Sequence, residues 1–293
     1  MQHLHAFVTL CAWVLYIAPL AAQETNAAET LSMRDGDRVV FLGNTFFERA
    51  LDYGHLETSL TLRWPEKKIT FRNLGWDGDT VYGHSRAGGR RRQLFGDAEE
   101  GFQRMMKHLN SEKPSVVFVA YGFNESFDGI QGLASFQKGL NRLLDRLENL
   151  SRQIVLITPP AVVVHDNSLN LMLGRYAEIL LETGRSRGHL VVDLFGDEAL
   201  NAPACRENGL HLSAAGYQKV AEIWVQKLKL PPVRIDLNNS RADKVRQAII
   251  KKNTLYFHRW RPRNDAFVFG ERRDEQKIAQ KEPLQFVQIL LVA

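Results

Sequence analysis

The chain has 293 residues, enough for one sizeable α/β domain with an appendage. Hydrophobic residues make up 44% and charged residues 24%, a balance that excludes wholesale disorder. The net charge is +5 but uneven: from Lys229 onward 14 Lys/Arg stand against 7 Asp/Glu, and before it 24 against 26. A near-neutral body with a basic tail points to a local contact surface, so no nucleic-acid partner is expected.

The N-terminal residues 6–22 (AFVTLCAWVLYIAPLAA) are almost wholly apolar, and Ala21 and Ala22 offer a cleavage site. This reads as a signal peptide over residues 1–22, then a linker over 23–36, and makes the protein exported, either periplasmic or secreted. An uncleaved anchor is the competing reading. The run is short for a span of roughly 20 residues, and the polar QETNAAET follows it. Cleavage is therefore expected, with no membrane span remaining. Cys11 falls in the signal, which leaves Cys205 alone and excludes an intramolecular disulfide in the mature chain.

Short β-branched runs then alternate with amphipathic stretches. Residues 38–42 read as a strand broken by Gly43, and 46–64 as a helix ended by Pro65. Residues 68–72 form a second strand, followed by a Gly-rich loop over 75–89 and a polar helix over 91–109. Residues 115–121 (SVVFVAY) are continuously apolar, as a buried parallel strand requires. A helix over 133–150, a strand over 153–157, a helix over 169–187, a strand over 190–193 and a closing helix over 214–228 complete the body. Five strands alternating with helices imply a parallel sheet covered on both faces. Sites in such sheets lie beyond the carboxyl ends of the strands. That groups the loops at 43–45, 75–80 and 122–126, with the loop before the last helix free to join them.

Leu230-Pro231-Pro232 reads as a linker. It separates a body over 37–230 from a basic, aromatic-rich extension over 231–293. Leu255, Phe257, Trp260, Phe267 and Phe269 are too many large apolar side chains to leave in water. The extension is expected to pack on the body with its arginines outward.

Ester hydrolysis needs a nucleophile, a base and donors for the developing oxyanion. The grouped loops carry Gly43-Asn44-Thr45-Phe46, then Gly75-Trp76-Asp77-Gly78-Asp79-Thr80, then Gly122-Phe123-Asn124-Glu125, then Asn208-Gly209-Leu210-His211 with Leu212-Ser213-Ala214-Ala215-Gly216-Tyr217 after it. In order and placement these resemble the four motifs of the SGNH hydrolases, also called GDSL esterases, over roughly residues 37–228. GNTFFER at 43–49 and KNTLYFHRWRP at 252–262 further resemble a bacterial subgroup with altered catalytic motifs and a basic C-terminal extension. The resemblance implies a flavodoxin-like, three-layer αβα fold with a five-stranded parallel sheet. It also implies an esterase acting on a small-molecule or glycan ester, such as a carbohydrate O-acetyl group, without a cofactor. Thr45 would be the nucleophile, His211 the base and Asn208 its ring-orienting partner. Gly78 and Asn124 would serve the oxyanion together with the Thr45 backbone N–H.

Two positions depart from the family pattern: Thr45 replaces Ser, and Asn208 replaces Asp. The threonine methyl stiffens χ1 and crowds the site. An Asn can orient a histidine ring but supplies no charge beneath the imidazolium; in the serine-protease template that change costs about 10⁴ in turnover. Glu207 is adjacent, and Asp79 or Asp193 offers a carboxylate from another loop. The alternative function is a degenerate module of the same fold that binds or scaffolds without turnover. Locally, Thr45 with Glu48 three residues on also reads as a helix capping box. Asp77, Asp79, Glu125 and Asp128 match no ligand spacing, so no metal is expected. The Arg90-Arg91-Arg92 run reads as a solvated helix start or a contact to an anionic substrate.

Overall fold

The structure is a computed structural model that describes residues 30–87, 98–164, 168–233 and 240–261. The apolar runs become strands β1 (Arg38–Gly43), β2 (Thr70–Gly75), β3 (Val116–Ala120), β4 (Gln153–Ile157) and β5 (Leu190–Val192). They pair in parallel in the order β2-β1-β3-β4-β5. Between them run α1 (Thr45–Tyr53), α2 (His55–Thr61), α3 (Ala98–Glu112), α4 (Gly129–Glu148) and α5 (Ser168–Ser186), and α6 (Ala214–Lys227) and α7 (Ser240–Trp260) follow β5. The three-layer α/β architecture expected from the alternation is present.

Both faces of the sheet are buried, which is why the strands read as continuous apolar runs rather than alternating ones. Val39 and Phe41 of β1 join Phe118 of β3 in a core with α1, α2 and α6. There Phe118 stacks on Trp224 at 4.7 Å between ring centroids. Val40 and Leu42 face the other way, with Val117 and Val119, into a core closed by α3, α4 and α5.

The strand order reverses at β1, so the chain leaves β1 and β3 in opposite directions and opens a crevice beyond their carboxyl ends. The Gly43–Ala120 pair lies at that point. A Cβ on Gly43 would come within 2.4 Å of the Ala120 carbonyl oxygen, so the closing turn of β1 admits only glycine.

Three expectations about elements are corrected. The helix read over 46–64 is two helices, because Gly54 adopts φ +68° and turns the chain between α1 and α2. Strand β2 starts and ends later than read, its last residues held by Asn73, which accepts from Gly75 N and donates to the Phe47 carbonyl. Helix α3 runs on to Glu112, beyond the expected end at 109; the earlier part of the expected helix, with Arg90-Arg91-Arg92, lies outside the described residues, as do residues 1–29, Phe267 and Phe269.

The extension contributes a long helix where the sequence shows only an aromatic-rich segment. Ala242, Ile249, Asn253 and Tyr256 are its buried positions. They recur at intervals of seven, four and three, a helical stripe. Lys252 pairs with the buried Glu57, Asn253 donates to the same carboxylate, and Tyr256 OH donates to Glu112 at 2.8 Å. Arg259 is exposed, as expected of the arginines here. Arg246 and Arg261 instead turn inward: Arg246 donates to the Tyr53 carbonyl, and Arg261 pairs with Glu48 at 2.6 Å and covers the Trp76 ring at 4.1 Å.

Candidate active site

Asn44, buried at the end of β1, caps α1 by accepting from Phe46 N at 3.1 Å. The capping role considered for Thr45 therefore belongs to its neighbour. Glu48 does not complete a capping box either, for its carboxylate accepts from Asp77 N and pairs with Arg261. Freed from the cap, the Thr45 hydroxyl turns into the crevice. It donates to Asp77 Oδ1, and Gly78 N–H points at it from 3.5 Å.

Thr45 and His211 line the same two compartments. One is a small, mostly apolar pocket walled by Phe46, Tyr121, Phe123, Pro160 and Leu212, with room of about 40 Å³ for water-sized groups. The other is a wider cleft of about 390 Å³ bounded by Glu48, Arg49, Asp77, Phe257 and His258. Helix α7 thus contributes side chains to the wall of the cleft, which no motif in the body announces.

The loop carrying His211 is closed by an antiparallel bridge between Arg206 and Leu212 and by Glu207 N donating to the His211 carbonyl at 3.0 Å. Asn208 Oδ1 accepts from Leu210 N and His211 N at 3.2 and 2.9 Å. Its side-chain oxygen is thereby spent on the backbone of the turn. The expected contact between Asn208 and the His211 ring is not made. The ring has no hydrogen bond among the described residues, to Thr45 or to any other group.

No carboxylate considered from sequence sits beneath that ring. Asp79 is fully buried against Arg86 at 2.7 Å and accepts from Tyr121 OH at 3.0 Å. Asp193 accepts from Thr158 Oγ1 and from the N–H groups of Phe195 and Gly196. Glu207 pairs with Arg49 and accepts from Tyr53 OH. Electrostatics nonetheless reach His211. Partial burial, then Arg49, hold its pKa below the usual 6.5, while Asp77 and Glu207 act in the opposite sense. The imidazole is therefore neutral at neutral pH, the form a general base requires.

Asn124 donates from Nδ2 to the Asp79 carbonyl at 2.7 Å. It grips the loop one residue beyond Gly78 and commits one of its two amide hydrogens there. The same loop is braced by Glu125, whose buried carboxylate accepts from Val81 N at 2.9 Å and from Gly122 N at 2.8 Å. From sequence, Asp77 and Glu125 are weighed only as metal ligands. Among the described residues no three His, Cys, Asp or Glu side chains converge as a metal site would need.

Glu125 makes stability depend on pH. Burial lifts its carboxyl from 4.5 to about 7, against the pull of its backbone donors. A raised folded-state pKa stabilises below the unfolded value and loses that contribution as pH rises through the folded one. The shift amounts to about 3 kcal/mol. The stability advantage of the native protein over Glu125→Gln is expected to shrink by about that much between pH ~4 and ~8, read by urea unfolding. His108, held down at about 4 chiefly by burial, titrates in both proteins and cancels in the difference.

The profile of the GDSL-like lipase/acylhydrolase family matches residues 47–219, more than half of the chain. No curated protein matches it in sequence. Among solved structures it resembles a catalytic mutant of Axe2, an acetylxylan esterase from Geobacillus stearothermophilus, at 18% identity and a TM-score of 0.55, over 70% of this chain and 99% of that one. A second Axe2 mutant, described as an acetyl-xylooligosaccharide esterase, matches at 19% and 0.54, over 69% and 98%. LAE5, an alpha/beta hydrolase from the metagenome of Lake Arreo, Spain, matches at 17% and 0.53, over 67% and 97%. At these identities the likeness concerns the fold.

Proposed function

Because the chain belongs to the GDSL-like lipase/acylhydrolase family, we propose that it hydrolyses short acyl esters at Thr45, acetyl groups on carbohydrate being the favoured substrate. The observation that carries this reading is the Thr45 hydroxyl, released from helix capping and facing Gly78 N–H in a cleft that also holds His211. The small apolar pocket supports a short acyl chain. Its room of about 40 Å³ compares with the roughly 10–15 Å³ that one water needs, enough for a few heavy atoms. The wider cleft, with Arg49, Asp77 and His258 on its walls, suits a polar alcohol portion. The acetylxylan esterase activity named for Axe2 supports a carbohydrate ester, and the apolar N-terminal stretch supports export.

In this mechanism Thr45 Oγ1 attacks the acyl carbonyl while His211 takes its proton. Gly78 N–H, the Thr45 N–H and the second Asn124 amide hydrogen serve the oxyanion. His211 returns the proton to the departing alcohol, and water then cleaves the acyl-threonine by the reverse path. The charge that Asn208 lacks comes in part from Asp77 and Glu207, both of which favour the protonated ring. Attack requires the Thr45 hydroxyl to exchange its bond to Asp77 for one to His211.

That same bond favours a second reading, a binding module that has lost turnover, since the hydroxyl engages Asp77 and not the imidazole. Turnover of p-nitrophenyl acetate by the purified protein, beside His211→Ala, decides between them. Turnover that depends on His211 supports the hydrolase; none in a folded protein overturns it.

A further inference from the structure

Arg63 follows α2 and is only 8% exposed. Both of its side-chain hydrogen bonds among the described residues come from Nη1 and stay within its own segment, to Ser59 O at 2.6 Å and Ser59 Oγ at 2.8 Å. Its Nε is buried and has no partner there. No acidic group of the described residues acts on the guanidinium, whose pKa is lowered by burial alone. A buried cation without a counter-charge is among the costliest arrangements a fold can keep.

Arg63 opens onto a cavity of about 580 Å³ between α2, α6 and α7, which also takes in His55, Thr58, Gln218, Gln226 and Arg246. It shares no lining residue with either compartment at Thr45. The other charges on its walls are already balanced: Arg246 holds Asp243 at 2.7 Å, and Glu222 pairs with Lys219. Burial, then Arg246, lower the pKa of His55, so its ring is a neutral hydrogen-bonding group at neutral pH. What remains, among the described residues, is one unpaired positive charge in a polar cavity larger than a simple ion.

We propose that this cavity binds a small oxyanion, a carboxylate or phosphate carried on a hydroxyl-bearing body, through the guanidinium of Arg63. A guanidinium holds an oxyanion by charge-assisted hydrogen bonds, about twice as strong as neutral ones. His55, Thr58 and the two glutamines supply neutral partners for the hydroxyls. The site is independent of the reaction at Thr45.

Calorimetric titration of the full chain with glucuronate, glucose 6-phosphate and inorganic phosphate tests this and separates carboxylate from phosphate. Saturable one-to-one binding of at least one probe is expected, with a matching rise in Tm. Arg63→Lys keeps the charge but loses the planar guanidinium and is expected to weaken binding about tenfold or more. Arg63→Met is expected to abolish binding and, without ligand, to unfold at a Tm no lower than the native protein, since the uncompensated charge is gone. Absence of saturable binding by all three probes, or binding that both variants leave unchanged, overturns the proposal. Should Arg63→Met not fold, the Arg63→Lys titration decides alone.

Discussion

Replacing Thr45 by alanine is expected to lower kcat for p-nitrophenyl acetate by about 10²-fold, and His211→Ala to do the same. The magnitude follows from the serine proteases. Loss of the nucleophile or base there costs about 10⁶, while an amide in place of the triad carboxylate alone costs about 10⁴. A site with Asn208 starts near the lower level, so only about two decades separate it from the residual rate of binding and oxyanion contacts. The two losses should not add, because nucleophile and base act as one unit. Since partial burial and Arg49 depress the His211 pKa, the acid limb of kcat/KM should fall below pH 6.5. A double variant about 10⁴-fold slower than native would show that the two act independently rather than as nucleophile and base, and an activity indifferent to both changes would remove them from the reaction.

What the sequence makes legible is what rests on local pattern. The continuous apolar runs at 38–42 and 115–121 report strands buried on two faces, and both appear as β1 and β3. Motif order carries the family and hence the sheet order. What stays hidden depends on groups distant in sequence. Asn44 and Thr45 are both good helix caps, and only the geometry at the end of β1 decides that Asn44 accepts from Phe46 N and leaves Thr45 free. Asp77 looks like a loop acid until the turn at Gly78 brings it to the Thr45 hydroxyl, 32 residues earlier. Asn208 matches a motif position, yet its oxygen is taken by two backbone N–H groups of its own turn. Short polar side chains often prefer such local partners, so motif position alone does not give their role. Helix α7 goes unread because only its aromatics stand out, and its docking is hidden because Glu57, Glu112 and Glu48, which receive Lys252, Tyr256 and Arg261, are spread over the body.

Restoring both altered positions, Thr45→Ser and Asn208→Asp, is expected to raise turnover by about 10³-fold or more over the native protein. The serine removes a methyl that restricts χ1, and its freer hydroxyl can leave Asp77 for His211 more readily. An aspartate at 208 keeps the turn, since a carboxylate oxygen accepts from Leu210 N and His211 N at least as well as the amide oxygen does. It also brings a full negative charge to the loop that carries the ring. There it stabilises the imidazolium formed in the transition state, which Asp77 and Glu207 do only from the side. The aspartate should therefore matter more than the serine, and the double change should exceed the product of the single gains. All four proteins are compared on a short acyl ester, each with and without His211→Ala. A large gain that His211→Ala abolishes shows that the crevice and its oxyanion donors remain competent. A well-folded double variant with no gain sinks the hydrolase reading and leaves a binding module built on the same fold.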